Sequence, residues 1–153
     1  MKKLIQITVL VSLIFILGNK TNGSIIASAL PDDENSTGTS EWVLSQSNGN
    51  VDFYYKIDVC NGQKAVFLKF VNKNSYKVSV TWEEVYSDRK SGKNFENFSG
   101  DKQLTISPNA TLQASCNGTE CNECLILSSM VSPMQVVDVQ QFEFKNITVK
   151  VSQ

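Results

Sequence analysis

An all-β sandwich is the fold class this sequence predicts, and three observations predict it. Beyond Glu41, apolar and polar residues alternate at period two through several runs. Asn-Gly pairs and short Asn, Ser and Lys clusters separate those runs. Outside the N-terminal apolar run, no window carries the 3.6-residue apolar stripe of an amphipathic helix.

The N-terminal segment is of another kind. Lys2 and Lys3 precede an apolar run from Leu4 to Leu17, and Ala27-Ser28-Ala29 supplies the small-x-small pattern of a signal-peptidase site. The run falls short of the roughly 20 apolar residues that span a bilayer. We therefore expect a signal peptide at 1–29, with Gly23 as a competing cut, and then a flexible polar lead at 30–40. A single β-sandwich domain is expected at 41–153, with no membrane span after signal cleavage. The even set of cysteines behind an export signal points to a secreted or periplasmic protein stabilised by disulfides.

The strands follow in order. Trp42, Val43 and Leu44 open a short strand, and Asn48-Gly49 supplies a two-residue turn. Val51, Phe53, Tyr55, Ile57 and Val59 then alternate with Asp52, Tyr54, Lys56 and Asp58, which puts the apolar set on one face. Asn61-Gly62 is a second tight turn, followed by Val66, Leu68 and Phe70 on one face. After Asn72–Ser75, the residues Tyr76, Val78, Val80 and Trp82 alternate again. These four strands are expected to form an antiparallel meander. Ser87–Asp101 has no apolar period and reads as a long loop. Leu104 and Ile106, Leu112 and Ala114, and Leu125–Leu127 mark three more strands. From Val137 to Val151 the alternation slips twice, so bulges or a break are expected there and not one continuous strand. Seven to eight short strands indicate an immunoglobulin-like sandwich, with a flattened barrel as the alternative.

Several of these stretches resemble a known group. Val51-Asp-Phe-Tyr-Tyr-Lys56 to Cys60-Asn-Gly62, Phe67-Leu-Lys-Phe-Val-Asn72 and Val78-Ser-Val-Thr-Trp82 are similar to small exported bacterial proteins with a signal peptide, one β-sandwich and one or two cysteine pairs. The resemblance covers about residues 42 to 116. It implies the fold and the bacterial envelope. Its motifs are packing and turn residues, so it implies no catalytic or binding residue.

The cysteines are the chemically distinctive residues. Cys60, Cys116, Cys121 and Cys124 allow three disulfide connectivities. Cys60 and Cys116 each precede an Asn-Gly pair, so bridging them would tie the early strands to the later ones and leave Cys121–Cys124 as a local bridge. Strand parity weighs against this, since Cys60 shares the polar face of its strand while Cys116 is in phase with Leu112 and Ala114; the connectivity stays open. The alternative is a thiolate metal-binding or redox protein using Cys116, Cys121 and Cys124. Glu120 and Glu123 beside the Cys-x-x-Cys would raise its thiol pKa, which disfavours redox chemistry.

Enzymatic function is not expected. The chain contains no histidine, which excludes Ser-His and Cys-His pairs, histidine bases and the usual hydrolytic zinc sites. The glycines stand singly, without a phosphate-cradling loop. Asp52, Asp58, Glu83, Glu84 and Asp88 all fall where solvated strand faces or loops call for polar residues. No cofactor is expected.

A binding or interaction module remains, with an unknown protein or glycan as partner. The candidate surface is the Ser87–Asp101 loop, with Tyr86, Arg89, Phe95 and Phe98 as anchors. The competing reading folds Phe95 and Phe98 back over the sandwich edge. Tyr54 and Phe67 could form a second patch, or be neighbours on one sheet. Removing Lys2, Lys3 and Lys20 with the signal leaves eleven basic against fifteen acidic residues, net −4. That sign argues against nucleic acid or an anionic membrane surface as the main partner. The Asn-x-Ser/Thr sequons at Asn19, Asn22, Asn35, Asn97, Asn109, Asn117 and Asn146 read as a by-product of composition.

Overall fold

The computed structural model describes residues 41–96, 100–117 and 121–152. The expected signal peptide, the polar lead, Phe98 and Glu120 lie outside the described residues.

Two hairpins begin the first sheet. Strand β1 (Val43–Asn48) pairs with β2 (Val51–Cys60), and β2 with β3 (Gln63–Asn72), all antiparallel. The second turn is the expected one: Asn61 and Gly62 both take positive φ, 51° and 78°, between the paired Cys60 and Gln63. The first turn is shifted by one residue. Asn48 is still paired with Val51, and the turn residues are Gly49 and Asn50 at φ 54° and 57°. A Cβ on Gly49 would lie 2.9 Å from the Val149 Cβ, so glycine is required there by both conformation and space.

The four-strand meander expected from alternation stops at three. Strand β4 (Val78–Asp88) belongs to the second sheet. The crossing is built on buried Asn72, whose Nδ2 donates to the carbonyls of Tyr76, Ile106 and Ser107 at 3.0, 3.3 and 2.9 Å. Its Oδ1 accepts from the Asn74 backbone N–H at 3.0 Å. These bonds satisfy the backbone of a corner that leaves one sheet for the other. Alternation shows which residues face inward, and both sheets share that requirement; it cannot show which sheet a strand joins.

Strand β4 is the spine of the second sheet. On one side it pairs with β9 (Val139–Val151); on the other it pairs end to end with β5 (Asn94–Glu96) and β6 (Lys102–Ile106). The same device appears in the first sheet, where β7 (Thr111–Gln113) and β8 (Leu125–Leu127) share the free edge of β3. The result is a sandwich of two antiparallel sheets, with nine strands among the described residues against the expected seven to eight. Part of the expected long loop is β5, three residues too polar to announce themselves. β9 is one continuous strand, contrary to expectation, but it carries the expected irregularities: its register to β4 shifts between Thr81 and Glu83, beside Asn146 at φ 49°, and again at Ser87/Asp88.

The sheets meet over an aromatic core. Phe53, Phe70, Trp82, Phe142 and Phe144 are all at most 5% exposed. The rings pack at 4.8–6.4 Å between centroids, from Phe142–Phe144 to Trp82–Phe144, mostly edge-on as ring quadrupoles favour. Two disulfides close the fold, Cys60–Cys116 and Cys121–Cys124, with sequence separations of 56 and 3. Chain-entropy arguments give the long bridge about 4 kcal/mol and the short one about 2 kcal/mol. The polar-face position of Cys60 is no obstacle. The bridge lies on the outer face of the first sheet, where Cys60 is 2% exposed.

Candidate functional site

Asp88 organises one end of the sandwich. It lies on the inward parity of β4 and is 4% exposed, not solvated as expected. Its Oδ2 accepts from the Ser91 N–H and hydroxyl at 2.8 and 2.6 Å, which shapes the turn between β4 and β5. Its Oδ1 accepts from the Asp138 N–H at 2.9 Å, and the Arg89 N–H donates to the Asp138 carbonyl at 2.8 Å. The Ser91 hydroxyl first, and then the Ser91 N–H, hold the Asp88 carboxyl below the usual range against its desolvation.

Asp138 extends the connection to the first sheet. Lys64 Nζ, near the β2–β3 turn, reaches its Oδ1 at 2.8 Å. The Ser129 hydroxyl donates to Gln63 Oε1 at 3.0 Å, and the Val137 N–H donates to the Ser128 carbonyl at 3.3 Å. Three loops, 61–62, 89–93 and 128–138, are thereby stitched together. What they expose is unusual. Met134 is 93% exposed, Val136 71% and Met130 64%, and Val59, at the adjoining end of β2, is 60% exposed. Arg89, Lys90 and Lys93 are exposed in the adjoining turn.

The predicted anchors divide. Arg89 belongs to this end. Tyr86 does not: it is 1% exposed, inside the core against Phe142 at 5.5 Å. It is in phase with Trp82 on a strand that runs to Asp88, into the segment expected as a loop. Phe95 pairs with Tyr86 across β4–β5 and is half-buried against the core, which matches the fold-back reading. Tyr54 and Phe67 are neighbours on the outer face of the first sheet, interleaved with lysines. Lys56 Nζ lies 4.9 Å from the Phe67 ring, and Lys69 Nζ lies 4.3 Å from the Tyr54 ring and 4.7 Å from the Trp42 ring. Phe67 is only 5% exposed there. Segment 128–138 was missed because it has no period. Its signal was Met134 and Val136, apolar residues in a Ser-Pro-Met-Gln setting where no strand was due.

A second site is interior. Glu84, expected on a solvated face, is 1% exposed on the inward side of β4. Trp82 Nε1 donates to its Oε1 at 2.9 Å, and the Tyr86 hydroxyl donates to its Oε2. It borders a cavity of about 120 Å³ lined also by Lys102, Asn122, Leu125, Ile126 and Met130. Burial raises the Glu84 pKa above the carboxylate range, opposed by the Tyr86 and Trp82 bonds and by the charge of Lys102. Burial first, then the neighbouring Glu84, also pushes the Tyr86 phenol upward. Its signal was legible: Val78, Val80, Trp82, Glu84 and Tyr86 share one parity. Asp52, also read as solvated, is 5% exposed and accepts from Ser47 Oγ at 2.7 Å and Lys73 Nζ at 2.6 Å.

All four cysteines are in bridges, which leaves no thiolate for the metal-binding alternative. Among the described residues, no cluster of three or more His, Cys, Asp or Glu side chains is placed to hold a metal, and no helix is long and apolar enough to cross a membrane.

These features define a disulfide-bonded β-sandwich with a pinned loop end. No family model matches the chain, and no curated protein matches it. Two solved structures align with it. One is a DUF1425 family member from Shewanella sp. pv-4, at 13% identity and a TM-score of 0.44, over 74% of this chain and 98% of that one. The other is the trimeric lipoprotein SadB of Salmonella enterica, at 15% identity and a TM-score of 0.38; 72% of this chain aligns, over 60% of that one. Neither likeness carries a functional residue.

Proposed function

We propose that the mature chain works outside the cytoplasm as a small, non-enzymatic binding module, and that it binds through the loop end. The observation that carries this reading is the exposure of Met134, Val136 and Met130 on the 128–138 segment, pinned by Asp88, Asp138 and Lys64, with Val59 exposed at the adjoining end of β2. Large side chains left in water on ordered loops lose nothing internally when a partner covers them, and a pinned loop has little entropy left to lose on binding. Two disulfides suit an oxidising compartment, as does the signal-like segment before Ala29.

Two measurements test it. Cells expressing the full chain should yield a product lacking residues 1–29, in the periplasm or medium, with all four cysteines refractory to alkylation until reduced. A photo-crosslinking residue at position 134 should capture a partner in the envelope, while one at exposed Gln103 on β6 should not. Cytoplasmic retention with free thiols would overturn the compartment, and equal labelling at both positions would overturn the surface.

A further inference from the structure

We propose that Met134 and Met130 are sulfoxidation sites, at which a peroxide turns the apolar loop end polar and so weakens its hold on a partner. The inference rests on the loop end being the binding surface and goes further by naming a modification that regulates it.

The reactive sulfur of the chain is concentrated in one place. All four cysteines are in disulfides, so no thiol is left to compete for an oxidant. Of the three methionines, Met1 belongs to the expected signal peptide. The other two lie close together on the 128–138 segment, and both are exposed, Met134 at 93% and Met130 at 64%. Methionine is ordinarily among the most buried side chains, and burial shields its sulfur. Here neither is shielded. Their segment is nevertheless anchored, because Val131 and Val137 are buried at 3% and 0%, and the Val137 N–H donates to the Ser128 carbonyl at 3.3 Å. The thioethers are thus presented by the folded chain and need no unfolding to react.

The step balances without help from a neighbouring side chain. A sulfur lone pair attacks one oxygen of hydrogen peroxide or an organic hydroperoxide. The S–O bond forms, the O–O bond breaks, and solvent protonates the departing oxygen as water or an alcohol. Sulfur is oxidised and the peroxide reduced by the same electron pair. The sulfoxide is polar and chiral, and methionine sulfoxide reductases restore the thioether. Met134, Val136, Met130 and Val59 are the large apolar side chains exposed at this end, and oxidation reaches both methionines among them. A partner that covers a sulfoxide must desolvate a polar group, which costs affinity unless a donor meets it. The fold itself is spared, since neither methionine belongs to the buried core. Met130 also lines the cavity beside Glu84, so Met134 should react first.

The test uses the exported, disulfide-intact mature chain and hydrogen peroxide. Its mass should rise by about 16 Da at Met134 and then by about 16 Da at Met130. Both rates should be close to that of free N-acetylmethionine, and the thermal transition should stay in place. Met134→Leu with Met130→Leu should take up no oxygen under the same treatment. Retention on a phenyl column should drop on oxidation and return after treatment with the reductases. With a photo-crosslinking residue at position 136, peroxide should lower capture of the envelope partner severalfold, and the double leucine variant should keep its capture. Oxidation far slower than in the free amino acid, or oxygen entering a tryptophan first, overturns the modification sites. Capture unchanged by oxidation overturns the regulation. If position 136 captures nothing before treatment, the loop-end reading falls and takes the regulation with it, while mass and column still decide the modification.

Discussion

Glu84 and Met134 break the rule of polar outside and apolar inside in opposite directions, and the comparison separates structure from function. Glu84 is 1% exposed in the aromatic core, whereas Met134 is 93% exposed on a loop. The buried carboxyl is compensated where it stands, by Trp82 and Tyr86 two residues away on either side of the same strand. Among the described residues nothing comparable covers Met134. An exception answered within the fold belongs to the fold. One left unanswered points outward to something the fold meets.

The sharpest break of this comparison is Glu84→Ala. It strands the Trp82 N–H and the Tyr86 hydroxyl without an acceptor and enlarges the cavity beside them. Each buried donor left unsatisfied costs about 1–3 kcal/mol, so a loss of about 4 kcal/mol in urea unfolding is expected. A change under about 1 kcal/mol would show that water replaces the carboxyl and that Glu84 is not a core element.

Glu84→Gln isolates the charge from the contact. Burial raises the folded-state pKa of Glu84 above its ordinary 4.5. Below pH 4.5 both states hold the proton and the contribution is constant. As pH climbs from 4.5 through the folded value, the unfolded chain has released its proton and the folded one has not, so stability falls. Asp52 and Asp88 act oppositely, because both are held below 3.8, the first chiefly by Lys73 and the second by Ser91. Their contributions are present above pH 3.8 and fade as pH drops through their lower folded values. Urea midpoints from pH 4.5 upward should decline for the native chain relative to Glu84→Gln, and parallel profiles would sink the assignment of a protonatable carboxyl at this position.

How far the sequence disclosed these two places follows from what alternation encodes. Period two identified the inward faces of β2, β3 and β4, and carrying the parity of Val78, Val80 and Trp82 two residues further reaches Glu84 and Tyr86. Both were misplaced because a charged residue was taken as the end of the apolar pattern. Asp88 was hidden likewise: besides its local turn bonds to Ser91, it accepts from Asp138, 50 residues away, and such long-range pairing leaves no local trace. The crossing at Asn72 depends on bonds to Ile106 and Ser107, again remote. The disulfide pairing was narrowed by hairpin positions, and parity pulled the other way because it treated an outward side chain as an uncovered one. The loop end was half legible: Arg89 came from composition, whereas Met134 and Val136 follow no period and acquire meaning only once exposure is known.

The smallest expected effect closes the comparison from the other side. Met134→Ser with Val136→Ser removes apolar surface that folding does not bury, so urea stability should change by no more than about 0.5 kcal/mol per site. Val137 is the internal control in the same segment, fully buried one residue away. Val137→Ala removes packed methyls and should cost about 1–3 kcal/mol. If the two exposed residues prove as costly as Val137, they pack against chain beyond the described residues, and their exposure ceases to argue for a partner. If they are neutral to folding and only Val137 is not, the segment divides as the comparison requires, with one residue that holds the loop and two that the loop presents.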